Sequence, residues 1–102
     1  MVREYYHRQQ ILEIFDFDEE FLERLEDEDL VESITLPPSD ERVFLPEQVE
    51  RIRIISNLTR DLEVNIAGCG VILEMREQMI RMERDFDRIL ETLLDNMKKR
   101  FL

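Results

Sequence analysis

Apolar residues recur along the chain at spacings that change character three times. From Tyr6 to Phe15, the residues Ile11, Leu12, Ile14 and Phe15 give one apolar face with Gln9, Gln10 and Glu13 outside it, which predicts a first helix. Asp16-Phe17-Asp18 interrupts that pattern, and Asp18 suits the N-cap of a second helix starting at Glu19. Phe17, Phe21 and Leu25 stand four apart with Leu22 beside them, the spacing of a buried stripe. Helix, three-residue break, helix is the arrangement of a helix-turn-helix.

After Leu30-Val31 the helical period stops. Ile34-Thr35-Leu36 and Arg42-Val43-Phe44 are short β-prone pieces around the turn-rich Pro37-Pro38-Ser39-Asp40-Glu41, the makings of a small hairpin or wing. Pro46 fits the first position of a further helix, where its missing N–H is not needed. Val49, Ile52, Ile55, Leu58 and Leu62 carry that helix's stripe, widened by Ile54, and Arg51, Arg53 and Arg60 lie mostly off it.

Asn65 is positioned to cap a last helix that runs to about Arg100. Gly68 and Gly70 near its start each cost roughly 1 kcal/mol of helix propensity against Ala, a pattern that points to a close backbone approach. Downstream, Ile72, Met75, Met79, Met82, Phe86, Ile89 and Leu93 alternate spacings of three and four, a heptad seam. Leu73, Ile80, Leu90, Leu94 and Met97 form a second stripe, too apolar to face water. One stripe is expected to pack on the N-terminal domain and the other on a partner helix, so a homodimer is expected. The organisation expected is a winged helix-turn-helix over residues 1–66 and a seam-forming helix over 67–102.

Two Gly and three Pro in 102 residues leave little room for an all-β fold with many tight turns, so composition agrees with a mainly helical, all-α class. Cys69 is the only cysteine, which excludes an internal disulfide and a Cys-based metal site. With no apolar run of about 18 residues and no apolar signal core at the N-terminus, the sequence reads as soluble and cytoplasmic.

Charge changes the picture more. The net charge is −11, and residues 1–40 carry thirteen acids against three bases. Ten of those acids lie in Asp16 to Glu32, where Arg24 is the one base. Phosphate binding relies on clustered Lys and Arg, so this half of the chain would repel a duplex and attract a basic protein surface. Three i,i+4 acid pairs, Asp16–Glu20, Glu19–Glu23 and Glu23–Asp27, cost the helix on the order of 0.2–0.5 kcal/mol each, partly offset by Glu20–Arg24 and Arg24–Glu28. That penalty is small enough for a merely solvated face as well as for a partner surface.

Catalytic chemistry has no support. His7 is the lone histidine, with no second base, nucleophile spacing or Gly-rich phosphate loop, and reads as a surface residue. The acidic stretch lacks the glycine and alternating ligands of a calcium loop, and no other metal or cofactor pattern is present. Cys69 reads as buried packing. Met75, Met79 and Met82 read as seam before adaptable binding surface, and Lys98-Lys99-Arg100 suits the negative end of a helix.

The order of features, ending in Phe44-Leu45-Pro46-Glu47-Gln48-Val49-Glu50-Arg51-Ile52, resembles the N-terminal winged helix-turn-helix of the MerR family. Leu58-Thr59-Arg60-Asp61-Leu62-Glu63-Val64-Asn65-Ile66-Ala67-Gly68, followed by Val71-Ile72-Leu73, is similar to that family's heat-shock repressors and to their relatives, the CbpM-like chaperone modulators. The resemblance covers about Gln9 to Glu77. DNA-binding members usually carry bases on the second helix and then a Tyr-Glu-Arg-x-Gly-Leu-like run. Here Glu26 and the apolar framework remain, Glu23 and Asp27 stand where bases would, and Asp29 replaces the glycine. The wing also lacks its glycine and keeps only Arg42 of the usual basic pair.

Chaperone modulators of this kind bind the basic J domain of a DnaJ-type co-chaperone. The resemblance therefore implies a non-enzymatic J-domain-binding protein, and the concentration of charge points to Glu19, Glu20, Glu23, Asp27 and Glu28 as its contacts, with Phe17, Phe21, Leu22 and Leu25 as buried support. The competing expectation is a MerR-like transcriptional regulator of heat-shock genes that reads DNA with Arg42, Arg51 and Arg53.

Overall fold

The computed structural model describes residues 4–101. Seven elements follow one another: β1 (Tyr6–His7), α1 (Arg8–Phe15), α2 (Glu19–Asp27), β2 (Ile34–Leu36), β3 (Glu41–Phe44), α3 (Pro46–Asp61) and α4 (Ile66–Phe101). The fold is the mainly helical winged helix-turn-helix that the sequence implies. The chain forms two compact units, Met1–Gly70 and Val71–Leu102.

The expected hairpin is present, with Ile34 opposite Val43, Thr35 opposite Arg42 and Leu36 opposite Glu41. It gains a third strand. Tyr6 and His7, expected inside the first helix, instead pair antiparallel with β3, Tyr6 opposite Phe44 and His7 opposite Val43. Aromatic residues gain little from a helix and pack well on a pleated surface, so ladder pairing wins and α1 starts at Arg8. The His7 backbone N–H donates to Gln10 Oε1 at 2.8 Å, which satisfies one donor at the helix start.

The core of the first unit is drawn from every layer. Ile11 of α1, Leu22 and Leu25 of α2, Val43 and Phe44 of β3, and Ile52 and Ile55 of α3 are fully buried. Each such side chain contributes about 1.5–3 kcal/mol on leaving water. Leu30 and Val31 add to this core just after α2. Phe17 and Phe21, expected to be buried, are only half-buried. They join Phe15 in an aromatic row, with ring centroids 4.6 Å apart for Phe17 and Phe21 and 5.8 Å for Phe15 and Phe17. Arg60 lies over the Phe17 ring at 5.1 Å while its Nη2 donates to the Asp16 carbonyl at 2.6 Å. The stripe of α3 is also shorter than its spacing suggests. The helix ends at Asp61, Glu63 turns the chain with φ 55°, and Leu62 is 68% exposed.

Four acids, Asp16, Asp29, Asp40 and Glu63, hold the left-handed conformation that glycine usually supplies. At Asp29 the motif is complete. Its N–H donates to Glu26 O at 3.0 Å and that of Leu30 donates to Leu25 O at 2.9 Å, the paired bonds that close a helix C-terminus. Gly68 and Gly70 serve a different purpose, since both have helical backbones. A Cβ at Gly68 would meet Val64 Cγ1 at 2.7 Å, and one at Gly70 would meet Leu30 Cδ2 at 3.2 Å, so close approach is what these positions require. Asn65 caps α4 as expected, accepting from the Gly68 N–H at 2.7 Å through Oδ1.

In the second unit the seam is open. Met75, Met79, Met82, Phe86, Ile89 and Leu93 are all more than half exposed. The second stripe is covered only where it begins, at buried Leu73 and half-buried Ile80, while Leu90, Leu94 and Met97 remain exposed.

Candidate functional site

Helix α2 starts where Asp18 Oδ1 accepts the Phe21 N–H at 2.7 Å, and Glu19 and Glu20 in its first turn complement the positive end of the helix dipole. Because Leu22 and Leu25 point into the core, the positions facing away from them must face water. Glu20, Glu23, Asp27 and Glu28 are exposed there. None of the four makes an ion pair with another described residue. Glu20, Glu23 and Asp27, spaced three and then four apart, share one line along the helix surface.

Glu19 stands apart from those four. It pairs with Arg8 Nε, and Arg8 Nη1 holds Glu26 Oε1 at 2.5 Å. The other Glu26 oxygen accepts from Ser33 Oγ at 3.4 Å and lies 3.9 Å from Arg42 Nη1 on the wing. Partial burial works against the charge on Arg8, but hydrogen bonds to Glu26 and Glu19 and their negative charges outweigh it and raise its pKa further. A cleft lined by Arg8, Glu19, Glu23, Glu26, Asp27 and Arg42 opens between α2 and the wing. Two of the cleft's four carboxylates are thus matched by described residues, and Glu23 and Asp27 have no ion-pair partner among the described residues. Arg8 carried no signal in the sequence, because its partners lie 11 and 18 residues away.

The three bases expected to contact DNA are differently placed. Arg42 is 69% exposed and borders the cleft. Arg51 is half-buried, and its Nε donates to the Leu30 carbonyl at 2.7 Å, which ties α3 to the end of α2. Arg53 grips Glu50 one turn earlier on α3, with donor–acceptor distances of 3.0 and 2.5 Å.

His7 Nδ1 lies 2.8 Å from Glu41 Oε1, across the β1–β3 ladder. Cys69 is buried, and that burial pushes its thiol pKa up, so the unreactive protonated form is favoured. Among the described residues no group of His, Cys, Asp and Glu is arranged to hold a metal ion, and no helix is long and apolar enough to cross a membrane.

No curated protein and no solved structure matches the chain. Residues 6–91 match the model of one family, described as MerR HTH family regulatory protein. That span takes in the three-stranded sheet, the helix-turn-helix, α3 and most of α4. The chain belongs to the MerR helix-turn-helix family of regulatory proteins.

Proposed function

We propose that this protein is a non-enzymatic chaperone modulator of the cytoplasm that binds the basic J domain of a DnaJ-type co-chaperone through its acidic helix-turn-helix face. The observation that carries the proposal is the row of Glu20, Glu23, Asp27 and Glu28, exposed and without ion pairs among the described residues. They occupy the helix on which DNA-reading relatives carry bases. A duplex would meet this helix with like charge, whereas a basic helix would be drawn to it. The engagement of Arg51 with Leu30 and of Arg53 with Glu50 leaves little cationic surface to offset that repulsion. The CbpM-like resemblance supplies the partner class. The protein acts as a homodimer joined along the apolar seam of α4, whose residues from Met75 to Leu93 are more than half exposed among the described residues.

Titrating the protein with a purified J domain at low and moderate salt tests the proposal. Binding tighter than on the order of 10 µM, weakened by salt and lost in Glu20→Lys with Glu23→Lys, is the expected result. No binding, or binding indifferent to the charge reversal, contradicts it. Retention of a specific promoter fragment in a mobility-shift assay would favour the DNA-binding alternative instead.

A further inference from the structure

Arg8 opens α1, and its one guanidinium holds two carboxylates of α2 that are seven residues apart, Glu19 in the first turn and Glu26 near the end. Seven residues are two helical turns, about 10.5 Å of rise. A single planar fork therefore ties both ends of α2 to the start of α1. The setting favours this link, since the side chains of Arg8 and Glu26 are only 24% and 17% exposed and solvent screens them less than an open surface pair. Through its other oxygen Glu26 also meets Ser33 and Arg42, so the same node reaches the wing.

We infer that Arg8 is a positioning residue for the acidic face: by holding Glu19 and Glu26 it fixes the angle at which Glu20, Glu23, Asp27 and Glu28 are presented. For its ligand, this inference rests on the J-domain proposal. It makes a prediction of opposite sign to long-range electrostatics. Removing the positive charge of Arg8 makes the protein more acidic, which by attraction alone would strengthen association with a basic partner. Loss of the clamp instead loosens α2 and shortens the lifetime of the complex. Glu19 in turn becomes a support of the face and ceases to be one of its contacts.

Two variants separate charge from geometry. Arg8→Gln removes both, and Arg8→Lys keeps the charge but lacks the rigid planar fork that holds the two carboxylates at a fixed geometry. Binding kinetics against a purified J domain, with amide hydrogen exchange of the free proteins, form the test. For Arg8→Gln the expected result is dissociation faster by about fivefold with association unchanged or slightly faster. Arg8→Lys is expected to fall between it and the wild type. In both variants exchange quickens at Leu22 to Asp27 while the amides of Ile52 to Ile55 keep their protection. Arg8→Gln binding as tightly as the wild type, or exchange in α2 unaltered, overturns the inference. If the wild-type protein fails to bind the J domain, the functional proposal falls, and the exchange comparison alone decides for or against the clamp.

Discussion

Helix α2 and the distal part of α4 are both amphipathic, yet they leave opposite kinds of surface open. In α2 most of the apolar stripe is covered inside the first unit, where Leu22 and Leu25 are fully buried and Phe21 half-buried, and the outward face is almost wholly anionic. In α4 every described residue from Arg81 onward is exposed, Phe86, Ile89, Leu93 and Met97 included, and acids and bases are mixed along it. One surface can attract a partner over a distance and is weakened by salt. The other offers hydrophobic association, which salt does not screen. A helical period shows that a face will be buried somewhere. It does not show whether the cover comes from the same chain.

Charging the open seam is the harshest way to break this contrast. Phe86→Asp with Ile89→Asp should weaken self-association on the order of a thousandfold, because two unpaired carboxylates would have to leave water. Sedimentation equilibrium reads the result, and an unchanged oligomeric state would remove α4 from the interface. Leu25→Ala attacks the other side of the comparison. A cavity at a fully buried leucine should cost about 3 kcal/mol in chemical denaturation, and a loss near zero would mean that α2 is not anchored as described. Smaller still is the effect of ionic strength. Raising salt from about 50 to about 500 mM should weaken J-domain binding by roughly tenfold and leave self-association unchanged or slightly tighter. Parallel responses of the two equilibria would erase the distinction.

The mildest change sharpens the picture of α2 itself. Asp29 carries a left-handed backbone at φ 57° inside a complete helix-closing motif. Asp29→Gly should stabilise the protein by about 0.5–1 kcal/mol, partly offset by glycine's greater freedom in the unfolded chain. A loss of stability would mean that the Asp29 side chain contributes a contact of its own.

What the sequence made legible depended on how local the signal was. The Asp18 cap, Pro46 at the start of α3, the Asn65 cap and the β2–β3 hairpin all rest on residues within a few positions of one another. The exposed acids Glu20, Glu23, Asp27 and Glu28 followed from the same period that buries Leu22 and Leu25. β1 was hidden because two residues have no period, and their pairing partners, Val43 and Phe44, are remote in sequence. The Arg8 link to Glu19 and Glu26 was hidden for the same reason. The break at Asp16 and the turn around Asp40 were legible, but the left-handed backbone at Asp16, Asp40 and Glu63 was masked by chemistry, since such positions are ordinarily sought at glycine, and both glycines of this chain lie inside α4. Leu62 misled because a stripe read by spacing alone continues past the residue where its helix stops.

On the proposed function, α2 presents an acidic surface to a basic protein in place of a base-carrying helix to DNA. Chemical-shift perturbation of the labelled protein on addition of an unlabelled J domain tests it most directly. The perturbed amides are expected to gather along Glu19 to Glu28 and the facing wing, with distal α4 silent. Perturbations confined to α4, or none at all under conditions where both proteins are folded, would contradict it.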